Sequence, residues 1–179
     1  MKLDRREILK LAAGVALARP GLDGAEAAAL PEGKFLKARE LAVLDELAEC
    51  ILPADGHSPG ARAAGVATFL DAQLAAKDPK IPEWADERKE VREHLAAIDA
   101  LARDMFAKGF LELTADQRTA VVAKAAAGEG EPKTPAEKAF KWAKEQTARA
   151  YYSSKIGIHE EMEYKGNVLL TEFVGEEAK

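Results

Sequence analysis

One pattern governs most of this chain: apolar side chains recur at three- and four-residue intervals, in runs closed by proline or glycine and opened by capping residues. Such spacing stacks apolar groups on one face of an α-helix, and it does not fit strands, whose side chains alternate with a period of two. From Phe35 to Leu52 the stripe is Leu36, Val43, Leu44, Leu47 and Ile51, with Lys37, Arg39, Glu40, Asp45, Glu46 and Glu49 on other faces. Pro53 ends that helix, because its ring and missing amide cannot continue the hydrogen-bond ladder, and DGHSPG follows as a turn. A second helix is expected from about Ser58, whose hydroxyl can accept from a first-turn amide. Pro59 then takes the first helical position, and Val66, Phe69, Leu70 and Leu74 turn inward. KDPKIPEW reads as a loop ahead of a longer helix from about Ala85 to Lys108, with Val91, Leu95, Ile98, Leu101 and Met105 as its stripe and Gly109 at its end. Thr114 to Gln117 (TADQ) and Thr134 to Glu137 (TPAE) are capping boxes, in which hydroxyl and N3 side chain satisfy first-turn amides reciprocally. They open helices through Val121 and Val122, up to the loop GEGEPK, and through Phe140, Ala143, Thr147 and Tyr151.

The expected fold is therefore all-α, a compact single-domain bundle of about five helices plus an irregular C-terminal segment. The chain has 179 residues, which suits one domain. Apolar residues make up 47% of it and aromatics only 6%, so alanine-mediated close packing of helices is favoured over a β-rich core. The formal charge is -5 and no basic run follows Lys10, which removes the electrostatic footprint that holds a phosphate backbone. Nucleic acid is thereby an unsuited partner. Cys50 is the single cysteine, so an intrachain disulfide, a CxxCH haem attachment and a multi-cysteine zinc site are all excluded. Its place on the apolar face of ELAECILPAD suits a small buried hydrophobe, with a free or intermolecularly paired thiol as the other reading.

The first residues, MKLDRREILKLAAGVALARPGLDGAEAAALPEG, have the three-part layout of a secretory signal: a basic start, a weakly apolar run from Leu11 to Ala18, then the breaker Pro20-Gly21. That run is far shorter than the roughly 20 residues of a membrane span. Arg5-Arg6 followed by Ile8-Leu9-Lys10 resembles the twin-arginine export signal, departing from it at Asp4 and Ile8. Residues 1–29 are expected to be this leader, with cleavage after Ala27 or Ala29, and residues 34–175 the helical domain.

Near the other end, YYSSKIGIHEEMEYKGN, Tyr151 to Asn167, holds all three tyrosines and one of the three histidines. If this segment is helical, His159 and Glu163 share a face at i, i+4, and with Glu160 they could begin a metal site. Zinc or iron would need further ligands, for which only distant groups such as His57 are on offer. His57, with Asp55 and Ser58 beside it, could also serve acid–base chemistry, yet neighbours in sequence are not a triad and Ser58 is the better helix cap. No GxGxxG or GxxxxGK[ST] motif occurs, and GEGEPK is too acidic to cradle phosphate. The segment could therefore be a docking surface, a metal site or the closing edge of the core.

Two blocks carry a family resemblance: LAVLDELAECILPADGHSPGARAAGVATFLDAQL, Leu41 to Leu74, and YYSSKIGIHEEMEYKGNVLLTEFVG, Tyr151 to Gly175. They resemble the gluconate 2-dehydrogenase subunit 3 family in the turn Ile51-Leu52-Pro53-Ala54-Asp55, in Pro59-Gly60-Ala61 with Gly65-Val66, and in Tyr151-Tyr152 with Ser153-Ser154. Tyr164-Lys165-Gly166-Asn167 and Phe173-Val174-Gly175 complete the pattern. The resemblance implies a non-catalytic small subunit, without a cofactor of its own, that binds, stabilises and escorts a glucose–methanol–choline-type dehydrogenase carrying FAD. It further implies a multi-haem cytochrome c as an electron acceptor in some complexes, the twin-arginine translocase as a transport partner, and a periplasmic location, peripheral at the inner membrane through the complex. Tyrosines combine large area with low ordering entropy at interfaces, so Tyr151, Tyr152, Tyr164, Gly166 and Asn167 are the expected partner-binding residues, with Arg5 and Arg6 as the export signal. Two other readings come from different classes: a small periplasmic metalloenzyme using His57, His159, Glu160 and Glu163, and a free-standing helical binding protein.

Overall fold

The computed structural model describes residues 32–164 and residue 166. Residues 1–29, expected as a leader with Arg5 and Arg6, and Asn167 with the Phe173-Val174-Gly175 step, lie outside the described residues. The described residues form helices joined by turns, with no strand among them. Its elements are α1 (Ala38–Ile51), a single turn α2 (Gly60–Ala63), α3 (Val66–Ala76), α4 (Pro82–Phe106), a 3-10 turn (Phe110–Glu112), α5 (Ala115–Ala126), α6 (Pro135–Tyr152) and a π-type turn (Gly157–Glu161). Helices α1 and α6 are the hubs: α1 packs on every other helix, and α6 on α1, α3, α4 and α5, its longest pairing being with α4. Between them lie Leu44, Leu47, Val91, Ile98, Phe110, Val121, Ala143 and Tyr151, all essentially inaccessible to water. No helix among the described residues is long and apolar enough to cross a membrane.

Local chemistry explains where the helices start. Thr114 Oγ1 accepts from the Gln117 amide and Thr134 Oγ1 from the Glu137 amide, both at 3.3 Å, while each N3 side chain returns a bond to the cap amide. Helix α4 begins three residues earlier than the periodicity predicts, at Pro82, which occupies the first-turn position where a missing amide costs nothing. It also ends sooner than expected, because Ala107 turns left-handed (φ 57°) and closes the last turn.

The expected second helix is broken in two. Gly65 adopts φ 67°, a left-handed conformation natural to glycine, so the chain bends between α2 and α3. Two inward assignments also fail. Phe69 is 51% exposed and Met105 37% exposed, and in their place the carboxylates Asp71 and Asp99 face inward. Both acids are drawn in by donors that a hydrophobic pattern does not register. Asp71 accepts from the amides of Lys34, Phe35 and Leu36. Asp99 accepts from the Phe110 amide at 2.8 Å and from Arg103, with Arg39 at the margin at 3.5 Å.

Arg118 completes the fixing of the 3-10 turn. Its guanidinium donates to the carbonyls of Phe110 and Leu111, at 3.2 and 2.9 Å, and to Glu46 on α1 at 2.9 Å. The fork reaches three acceptors that an ammonium could not serve together. Arg118→Ala should therefore lower unfolding free energy by about 1–3 kcal/mol, since it strands half-buried acceptors, with an unchanged denaturant slope in urea titrations.

Cys50 is half-buried against the core. Burial, aided by the Glu46 charge, pushes its thiol from an ordinary 9.0 up to about 11. A pKa raised in the folded state contributes stability that is complete below the unfolded value and is lost as pH rises through the folded one. Wild type should thus lose stability more steeply than Cys50→Ala between pH 9 and about 11, as read from urea midpoints across that window. The native thiol should also label slowly with disulfide reagents at neutral pH.

Candidate functional site

The Pro53–Gly60 turn is built by its own side chains. After Pro53 ends α1, Glu49 reaches forward to accept from the amides of Ala54 at 3.2 Å and Arg62 at 2.8 Å. Asp55 Oδ1 accepts from the amides of His57 and Ser58, at 2.8 and 2.7 Å, and these bonds hold its carboxyl below the ordinary range. Asp55 is consequently a turn-former that accepts from backbone amides. Gly60 takes φ 83°, and a Cβ there would come within 2.6 Å of the Ala54 nitrogen. The turn closes when the Ala61 amide donates to the Leu52 carbonyl at 2.8 Å. Arg62 then braces it against α1 through Asp45 at 2.7 Å and Glu46 at 2.9 Å.

What this turn delivers is Ser58. Its hydroxyl lies 2.7 Å from the Tyr151 hydroxyl at the far end of the chain. Ser58 is thus not chiefly a helix cap: its contact with the Gly60 amide is a long 3.4 Å, and Pro59, not Ser58, sits at the cap position. Tyr151 is fully buried and donates as well toward Glu161 Oε2 at 3.4 Å. Burial, with the Glu161 carboxylate adding to it, raises the phenol above its ordinary pKa.

Beyond Tyr152 the chain turns back over Tyr151. Gly157 makes this possible, since a Cβ there would fall 2.1 Å from the Tyr151 carbonyl oxygen. The Ser154 hydroxyl accepts from the Gly157 amide at 3.0 Å, and the Met162 amide reaches the Gly157 carbonyl at 3.0 Å, a five-residue π-type closure. Glu163 then takes φ 49°, so no helix carries His159 and Glu163 onto a common face. His159 Nδ1 instead lies 3.3 Å from the Tyr164 carbonyl. Among the described residues no group of three or more histidine, cysteine, aspartate or glutamate side chains is placed to hold a metal ion.

The expected docking residues therefore separate. Tyr151 belongs to the core, which corrects its assignment as a contact residue: its phenol is consumed by Ser58 and Glu161. Tyr152 is 42% exposed and stands edge-on to the Tyr151 ring at 5.3 Å. Tyr164 and Met162 are 47% and 50% exposed, and Gly166 is exposed at φ 97°. Met162 is an addition that the tyrosine-centred reading of the sequence missed; its position one residue after Glu161, the acid that meets Tyr151, is what brings it there. His57 is exposed on the opposite arm of the latch.

The Ser58–Tyr151 bond has a measurable weight. Tyr151→Phe and Ser58→Ala should each destabilise by about 1 kcal/mol, and the double variant by less than the sum, because one hydrogen bond is lost in all three. A double-mutant cycle from urea unfolding checks the coupling.

The two arms that meet at this bond, the 53–60 turn and the 151–164 segment, fall within a single family match: the model described as gluconate 2-dehydrogenase subunit 3 matches residues 38–168. No curated protein and no solved structure matches the chain. On the extent of that match the chain belongs to the gluconate 2-dehydrogenase subunit 3 family, whose description names a subunit of a dehydrogenase complex.

Proposed function

We propose that the chain is a non-catalytic small subunit that binds, stabilises and escorts an FAD-dependent dehydrogenase of the glucose–methanol–choline type. The observation that carries this reading is the family match over residues 38–168, which spans both arms of the Ser58–Tyr151 latch. The latch supports it in physical terms. It holds a short surface segment in one conformation and leaves Tyr152, Met162 and Tyr164 substantially exposed around a buried anchor. Exposed aromatic and thioether side chains on a pre-ordered backbone suit a protein interface, because little backbone entropy remains to be lost on docking.

In this reading Tyr152, Tyr164, Gly166 and Asn167 contact the large subunit, and Tyr151 positions them from inside. FAD sits in the partner, and where a multi-haem cytochrome c is present it takes the electrons from that flavin. The leader with Arg5 and Arg6 engages the twin-arginine translocase, and the partner crosses with it as a folded passenger. The assembled complex would then lie in the periplasm at the inner-membrane surface.

The test is co-purification. A tagged full-length chain isolated from its native cells should bring down a flavoprotein in near-equal amount, identified by flavin absorbance and mass spectrometry. Tyr152→Glu with Tyr164→Glu should reduce that recovery at least about tenfold, the loss of roughly 1.4 kcal/mol of interface, without lowering the chain's own unfolding midpoint. Arg5→Lys with Arg6→Lys should leave both proteins in the cytoplasm. A dehydrogenase that reaches the periplasm fully active in cells lacking this chain would overturn the escort role.

A further inference from the structure

Immediately ahead of α1, and outside the family match that begins at residue 38, the four residues Gly33, Lys34, Phe35 and Leu36 are tied down by hydrogen bonds. The amides of Lys34, Phe35 and Leu36 all donate to the Asp71 carboxylate, at 2.5, 3.0 and 2.7 Å. Asp71 is itself only 2% exposed, and these three amides meet both of its carboxylate oxygens. Gly33 closes the strap by donating to the Leu36 carbonyl at 3.1 Å, and a Cβ on it would fall 2.6 Å from Asp71 Oδ1. Two cations on α4 complete the grip: the guanidiniums of Arg88 and Arg92 each lie 4.3 Å from the centre of the Phe35 ring. Arg92 also donates to the Phe35 carbonyl at 3.0 Å, and Arg88 is fixed by the Lys77 carbonyl at 2.9 Å. Leu36 is buried at 1%.

The receptor for this strap is assembled from α3 and α4, so it exists only once those helices have packed. We propose that Asp71, Arg88 and Arg92 form a fold-dependent clamp that sets the N-terminal border of the processed protein: a peptidase removing the leading residues stops at or before Gly33. Hydrolysis adds water across a peptide bond, giving a new carboxylate and a new amine, and it requires the bond to be drawn into an extended, accessible form. Backbone whose amides are held in hydrogen bonds to a buried carboxylate resists being drawn out in this way. Trimming past Leu36 would also strip a buried carboxylate of its donors, so the product would lose the body's own stability. The inference stands apart from what the leading segment does, since it concerns only where the body begins.

The full-length chain tests this by limited proteolysis with several endopeptidases and mass mapping of the first stable N-terminus. In wild type the stable fragment should begin no later than Gly33. In Asp71→Asn, and in Arg88→Ala with Arg92→Ala, the border should move into residues 34–38 while cuts beyond Ala38 stay absent. Leu47→Ala, a core variant that loosens the body without touching the strap, should leave the border where it is. Hydrogen exchange on the wild-type chain gives an answer that needs no variant: the amides of residues 34, 35 and 36 should exchange about 100-fold or more slowly than unstructured amides. A wild-type fragment beginning within 34–37, unprotected amides at 34–36, or a border unmoved in both clamp variants would each overturn the proposal.

Discussion

The bond between Ser58 and Tyr151 joins residues 93 apart in sequence, and much else in the structure exists to let it form. A phenol buried as fully as Tyr151 must find a partner for its hydroxyl or bear the desolvation of a lone polar group. The partner arrives only if the chain turns sharply after Ile51, and each step of that turn has its own cause. Pro53 stops the helix, Glu49 and Asp55 collect the amides that the stop leaves free, and Gly60 passes where any side chain would strike Ala54. On the other side, Gly157 lets the chain fold back over the tyrosine.

A second set of polar contacts fixes the stretches that are not helix. Asp71 holds residues 34–36, Asp99 holds the Phe110 amide, and Arg118 holds the carbonyls of Phe110 and Leu111. In each case a charged side chain on a helix satisfies backbone groups of a neighbouring segment. Helices close their own hydrogen bonds, but a buried loop cannot, and it must borrow partners from elsewhere. The fold thus spends its few inward-facing charges on the joints between helices. An alanine-rich core with few aromatics leaves those joints as the places where position is specified most strictly.

This division explains how far the sequence could be read. The helices were legible because their determinants are local: periodic Leu and Val, the capping boxes at Thr114 and Thr134, and Pro53. The joints were not. Nothing within four residues of Asp71 announces that three amides some 35 residues upstream will claim it, and by spacing alone Phe69, a large apolar residue, is the better inward candidate. Gly65 is inconspicuous within an apolar run, yet its left-handed backbone divides one expected helix into two. Tyr151 shows the same limit at the candidate site. Its residue type suits an interface and a core equally, and only the tertiary meeting with Ser58 decides for the core. Tyr152 is chemically the same residue one position later, and the 100° step of the helix places it on the surface.

That one-residue offset has a mechanical meaning for docking. Tyr152 stands edge-on against the ring of an anchored neighbour, so its orientation is limited by Tyr151 and, through it, by the 53–60 turn. Glu161, which accepts from the phenol, directly precedes Met162, so the exposed thioether is tied to the same anchor. A partner meeting Tyr152 and Met162 would therefore meet side chains whose backbones are already set, and would lose less entropy in ordering them than with a free tail. The benefit runs in both directions: a partner that holds Tyr152 and Met162 in place also resists opening of the Ser58–Tyr151 bond beneath them, and so stabilises the turn that made the surface.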